Sequence, residues 1–184
     1  DMIKRAKELG SPALALTDQG AMYGAIEFYE KCLAAGIKPI IGFEGYLAPG
    51  SRLDRKGGEK PYHQILLART LEGYKNMMKL SSRAHLEGFY YKPRFDKELL
   101  KEYGAGIIAT SSCLQGEVPR HIMNGQIDKA VAAIKEFQAI FGEANFYLEV
   151  QDHPEIPEQI KLNKILLELS KEYNVPTIAT NDSH

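Results

Sequence analysis

Cysteine is scarce: Cys32 and Cys113 are the two in 184 residues. Two are too few for a disulfide framework and point to a reducing, cytoplasmic setting. Charge of one sign is missing as well, since 23 basic and 24 acidic residues leave a formal net charge of -1. Without a basic excess, this segment by itself lacks the field to hold nucleic acid strongly. No run of about 18 apolar residues and no signal-peptide pattern occurs, which argues against membrane insertion and secretion. Fixed-period repeats, low-complexity tracts, phosphate-cradling glycine loops, CxxC pairs and a Ser-His-Asp arrangement are absent too.

What is present fits a soluble globular domain. The chain is 44% hydrophobic and 26% charged, over a length that buries a sizeable core. Apolar spacing alternates between helical and strand-like stretches. Ile3, Ala6 and Leu9 mark a short helix that Gly10 can end, and Met22, Ala25, Ile26, Tyr29 and Leu33 share a helical face closed by Gly36. Leu71 to Glu87 reads as helix. Ile127, Val131, Ile134 and Phe141 form another stripe, and Leu162, Ile165, Leu166, Leu169 and Tyr173 a further one. Strands are expected at 13–17, 38–47, 62–68, 106–110, 145–150 and 176–180. Residues 48–61 read as a polar loop with little order of its own. Asp1 leads straight into a helical pattern and His184 follows a strand, so 1–184 is expected to be a single domain cut from a longer chain.

One local grammar recurs. A helix ends in Gly or Asn, a proline follows, then a buried strand, then polar residues. It appears as ELGSPALALTD, AAGIKPIIGFE and KEYNVPTIATND, while KEYGAGIIATSSC lacks the proline. Successive βα units of this kind predict parallel strands whose carboxyl ends share one face, where α/β sites are built. Asp18, Glu44, Cys113 and Asp182 stand at those ends, with His184 two residues later.

Carboxylate, imidazole and thiolate together suit zinc or a mixed-metal site, since thiolate is a poor partner for magnesium. Glu44 in IIGFEGY is expensive to bury unless it is coordinated or paired with a neighbouring strand. Asp182-x-His184 puts two ligand types on one side of a strand end; a helix cap with a surface histidine is the alternative. Cys113 is either a thiolate favoured by the start of the helix after it or a small buried residue. His63, opening a strand, reads equally as a hydrogen-bonded edge residue. His153, just past a strand end, fits either role, and His85 and His121 read as structural.

At this point the longer strings matter. ALALTDQGAMYGAIEFYEKCLAAGIKPIIGFEGYLAPGSR, YHQILLARTLEGYKNMMKLSSRAHLEGFYYKPRFDKELL, GIIATSSCLQGEVP, NFYLEVQDH and PTIATNDSH resemble the polymerase and histidinol phosphatase (PHP) domain of bacterial DNA polymerase III alpha subunits. The resemblance runs from end to end. It implies an α/β fold, a PHP-type distorted (β/α)7 barrel that is incomplete here because the first strand, with its His-x-His, would lie ahead of Asp1. An intact family site holds up to three divalent ions; fewer are implied here, with zinc first and manganese or magnesium as alternatives. By position, metal ligands fall on Glu44, His63, Cys113, Asp182 and His184. Asp18 is implied as support for its turn, and Lys92 and Arg94 as a phosphate contact or an exposed basic loop. One departure stands in the sequence itself: the family reads Thr-Asp-His-Gly with that histidine as a ligand, and this chain reads Thr17-Asp18-Gln19-Gly20.

The implied partners are the rest of an alpha chain that carries polymerisation, DNA through that parent, and a separate proofreading exonuclease subunit. No membrane is implied. Three roles follow: a metal-dependent 3'-5' exonuclease or phosphoesterase, a non-catalytic scaffold, or a free-standing histidinol-phosphatase-like hydrolase.

Overall fold

A computed structural model describes residues 1–183; His184, an expected ligand, lies outside them. The first half runs α1 (Met2–Glu8), β1 (Ala13–Gln19), α2 (Ala25–Ala35), β2 (Lys38–Leu47), β3 (Tyr62–Ala68), α3 (Leu71–Leu86) and β4 (Arg94–Phe95). The second half runs α4 (Lys97–Tyr103), β5 (Ile107–Thr110), α5 (Glu117–Met123), α6 (Ile127–Phe141), β6 (Phe146–Gln151), α7 (Pro157–Tyr173) and β7 (Thr177–Thr180). Local chemistry sets many of these bounds. Thr70 caps α3 by accepting from the Gly73 amide, and Asp96 caps α4 by accepting from Leu99. Gly36 and Asn174 end α2 and α7 in the left-handed conformation, and each releases the chain into the next strand or its proline.

Among the described residues the sheet has seven strands, in the order β1-β2-β3-β5-β6-β7, with β4 paired to β2 beyond the end of β1. It curls as a half-barrel, an incomplete, distorted α/β barrel. The all-parallel expectation fails at β3, which runs antiparallel to both β2 and β5. Its cause is local: residues 48–61 contain no helix, and a parallel return needs a crossover connection. The strands at 13–17, 38–47, 62–68, 106–110, 145–150 and 176–180 all form, within two residues of expectation.

Strand alternation sorts the two faces of the sheet. Phe43, Leu47, Leu66, Ile107, Ala109, Phe146 and Leu148 point to one side, where they join Leu80, Leu99, Ile134, Phe137, Leu162 and Leu166 of α3, α4, α6 and α7 in a single core. Glu44, Tyr46 and His63 alternate with these residues and so share the opposite face. On α2 the buried side is Ala25, Phe28 and Cys32, while Ile26, Tyr29 and Leu33 are exposed, so the expected stripe is rotated by about one position.

Candidate metal centre

β2 carries Glu44 to the carboxyl end of the sheet, where it is 1% exposed. Because β3 is antiparallel, its first residues lie at that same end, and Tyr46 pairs with His63. The strand direction that sequence reading missed is what delivers the histidine. Cys113 arrives from the loop after β5, through a left-handed Ser112 (φ 63°) whose amide donates to Thr110 Oγ1 at 3.0 Å. That loop is tight: a Cβ on Gly116 would lie 2.0 Å from the Ser111 carbonyl oxygen, so only glycine fits.

Three side chains converge. His63 Nδ1 is 2.7 Å from Glu44 Oε1 and 3.6 Å from Cys113 Sγ. Ligand atoms of all three residues lie within 4.8 Å of one another. A carboxylate, an imidazole and a thiol at that spacing are a donor set suited to one zinc-like divalent ion. Cys113, then Glu44, hold the imidazolium against the opposing effect of burial and raise His63 from 6.5 to about 9.

A group raised in this way stabilises the metal-free fold fully below about pH 6.5, and that contribution is lost as pH rises through about 9. Urea unfolding of the metal-free chain, followed by circular dichroism, is therefore expected to show a midpoint that falls from pH 6.5 to pH 9. In His63→Gln that fall should be absent.

Arg120 is a part that sequence reading missed. Its guanidinium donates to the carbonyls of Lys60, Pro61 and Gln115, while the His63 amide donates to Gln115 O at 3.1 Å. One side chain on α5 thus staples the approach to His63 onto the Cys113 loop. No local pattern in EVPRHIM announces this. Glu149 was missed too, though a carboxylate inside FYLEVQ carried the same warning as Glu44. It is 4% exposed, and Thr110, Gln151 and Thr180 all donate to its two oxygens. Glu149 thereby ties the end of β5, which leads to Cys113, to the end of β7, which leads to Asp182.

Among the described residues, the other expected ones are not in the converging group. Asp182 is exposed and left-handed (φ 54°), two residues past β7, and is not in the converging group. Gln19 pairs in register with Glu44, so its exposed amide shares the Glu44 face. Asp18 points to the other face, where a Cβ on Gly24 would lie 2.9 Å from its Oδ2; it overhangs the entry to α2. His153 faces Glu155 at 3.5 Å. His85 Nδ1 is bonded to the Ser81 carbonyl, as a structural histidine would be. The exposed-loop reading of Arg94 does not hold. It is 6% exposed and donates to the carbonyls of Gly88, Arg52 and Asp54. Lys92 is exposed and lies 5.3 Å from the centre of the Tyr46 ring.

A curled α/β sheet with carboxylate, imidazole and thiol gathered at one end defines an incomplete, barrel-like α/β fold that carries a candidate metal centre. Solved structures share that fold. An amidohydrolase from Chromobacterium violaceum, with bound sulfate and no metal, superposes with a TM-score of 0.60 at 13% identity, over 100% of this chain and 81% of its own. A protein assigned as a metal-dependent phosphoesterase from Bifidobacterium adolescentis gives 0.54 at 14% identity, over 98% and 80%.

The PHP domain model matches residues 1–153, and the chain belongs to that family, in the form carried by DNA polymerase III alpha subunits. It is 47% identical over 190 residues to DNA polymerase III subunit alpha of Thermus aquaticus and 46% identical over 186 to that of Treponema pallidum. Both matches cover all of this chain, which spans 15% and 16% of those proteins. Among the described residues no helix is long and apolar enough to cross a membrane.

Proposed function

We propose that this chain is the PHP segment of a cytoplasmic bacterial replicative polymerase, a DNA-directed DNA polymerase, and serves it as a metal-dependent 3'-5' exonuclease or phosphoesterase module. The observation that carries this reading is the convergence of Glu44, His63 and Cys113 within 4.8 Å at the carboxyl end of the sheet. These three would hold a divalent ion, zinc first, with manganese or magnesium as alternatives. Asp182 and His184 are proposed to complete the ligand set. A bound ion would supply an acidic water and charge stabilisation on a phosphate ester. The chain's own residues have separate tasks: Glu44 and Cys113 provide the negative charge, and His63 yields its proton when it becomes a ligand. Tyr46 and Lys92 wall the approach.

Gln19 favours a second reading. Its amide stands on the Glu44 face where the family places an imidazole, and an amide neither titrates nor binds zinc well. The module would then be a scaffold that stabilises the polymerase or docks a proofreading exonuclease subunit. Metal analysis and nuclease assays on the full-length polymerase chain, with and without Gln19→His, separate the two. The hydrolytic reading expects retained metal and a nuclease activity that Asp182→Ala abolishes. Metal without nuclease activity in the parent, and activity gained in Gln19→His, would assign the scaffold role. If neither form kept metal, the catalytic reading would be abandoned.

A further inference from the structure

Two turns that carry expected ligands are held in the left-handed conformation. Ser112, just before Cys113, has φ 63°, and Asp182 itself has φ 54°. Residues with a Cβ seldom adopt this conformation. Ser112 carries a second cost, because its hydroxyl is buried and has no hydrogen-bond partner among the described residues. Local preference does not keep either turn in this shape, so each has to be held from outside.

One buried carboxylate reaches both. Thr110 Oγ1 donates to Glu149 Oε2 at 2.5 Å, and Thr180 Oγ1, at the end of β7, donates to Glu149 Oε1. Gln151 Nε2 donates to Oε1 at 3.0 Å. Thr110 Oγ1 in turn accepts from the Ser112 amide at 3.0 Å, and the Glu149 amide donates to Ser111 Oγ at 2.8 Å. Gln64, the residue after His63, joins the same network by donating to the Thr110 carbonyl at 2.8 Å. Gln64, Thr110, Ser111, Ser112, Glu149 and Gln151 are all 2–4% exposed.

The kind of acceptor matters here. Glu149 has no cationic partner within salt-bridge distance among the described residues, so three neutral donors offset its burial. A carboxylate only accepts, which fixes the sense of every bond around it. The Thr110 hydroxyl gives its one proton to Glu149 and keeps its lone pairs for the Ser112 amide. An amide at position 149 would bring an N–H of its own. That group would compete with the Ser112 amide at Thr110 or turn the Thr180 hydroxyl round. A buried charge without a cation is costly as packing material, but it is a firm anchor for polar turns.

We propose that Glu149 is a positioning residue of the metal centre. Through Thr110 it fixes the turn that presents Cys113, and through Thr180 it fixes the turn that presents Asp182. Gln64 carries the same support to His63. Loss of one arm should therefore disturb one ligand and leave the other in place. The assignment rests on the metal reading of Glu44, His63 and Cys113 and names what sets their geometry.

Cobalt binding by the full-length polymerase chain tests it. Affinity is read by competition with a chelator, and geometry by the thiolate-to-metal charge-transfer band that depends on Cys113. Circular dichroism establishes that each variant is folded. Thr110→Val keeps the side chain's shape and loses its hydroxyl. It should lower cobalt affinity about 10- to 100-fold, the scale for an outer partner of a ligand, and should shift or weaken the band. Thr180→Val should lower affinity on the same scale with the band unchanged, and should add nothing to Asp182→Ala. Glu149→Gln should show both effects. In metal-free protein, alkylation of Cys113, mapped by mass spectrometry, should be faster in Thr110→Val and Glu149→Gln and unchanged in Thr180→Val. Variants that melt at a lower temperature yet keep the parent's affinity, band and alkylation rate would make Glu149 a purely structural acid and overturn the assignment. A parent chain that binds no cobalt removes the metal reading and this assignment with it. A parent that binds cobalt while the variants match it removes the assignment alone.

Discussion

In His63→Ala, the metal content of the polymerase chain after dialysis is expected to fall from retained to undetectable. His63 Nδ1 is the hub of the three converging residues, at 2.7 Å from Glu44 and 3.6 Å from Cys113. Losing even an outer hydrogen-bond partner of a metal ligand lowers affinity by about 10- to 100-fold, so removing the ligand should exceed about 100-fold. The deletion also leaves Glu44, 1% exposed, without its imidazole neighbour. Competition with a chromogenic zinc chelator measures the loss. Cys113→Ser should show a distinct signature: a cobalt-loaded parent has a thiolate-to-metal charge-transfer band that the serine variant lacks. His85→Ala is the control, because that imidazole is committed to the Ser81 carbonyl and should leave metal content unchanged. Equal retention in His63→Ala and the parent would remove these three residues from the ligand set.

Much of this arrangement is readable from the residues, and the limits have physical causes. Glu44 stands out because a carboxylate flanked by Gly and apolar residues has few inexpensive explanations. The strands are legible because their apolar runs are bounded by Gly, Pro and Asn. Strand direction is not. The turn from β2 to β3 crosses 48–61, and only the absence of a helix there hints that β3 returns antiparallel. The same loop reads as unordered because its residues are polar and charged, yet Arg52 is 6% exposed. Its partner Asp96 is 44 residues away, and no local pattern reports a contact at that separation. On α2, apolar spacing fits two faces, and the packing of Phe28 and Cys32 decides between them. Gln19 is plain in the sequence, but its placement on the Glu44 face needs the β1–β2 register.

Asp96→Ala is expected to destabilise the 184-residue chain by about 3–5 kcal/mol, the range for breaking a buried ion pair from one side. Asp96 is 3% exposed and does three jobs. It caps α4 through the Leu99 amide at 3.1 Å, accepts from the Arg52 amide at 2.9 Å, and faces Arg52 Nη1 at 3.1 Å. Burial disfavours the Arg52 charge, and Glu87 and Asp96 together outweigh that, so the guanidinium stays charged. Without Asp96 it is left buried with Glu87, 2.8 Å away, as its main partner. At about 2–4 °C per kcal/mol for a chain of this size, the melting temperature should fall by roughly 10 °C. Glu98→Ala should cost under about 1 kcal/mol, since Glu98 is 78% exposed although 3.5 Å from Arg52. The effect of Asp96 should also reach the metal centre. Phe95, the residue before Asp96, accepts from the Ala48 amide through its carbonyl oxygen, and its ring fills the space over Gly45, the residue after Glu44. The double replacement Arg52→Met, Asp96→Leu separates charge from packing. If it regains most of the lost stability, the destabilisation of Asp96→Ala comes from the stranded guanidinium. If it does not, the α4 cap and the amide bond to residue 52 carry the effect.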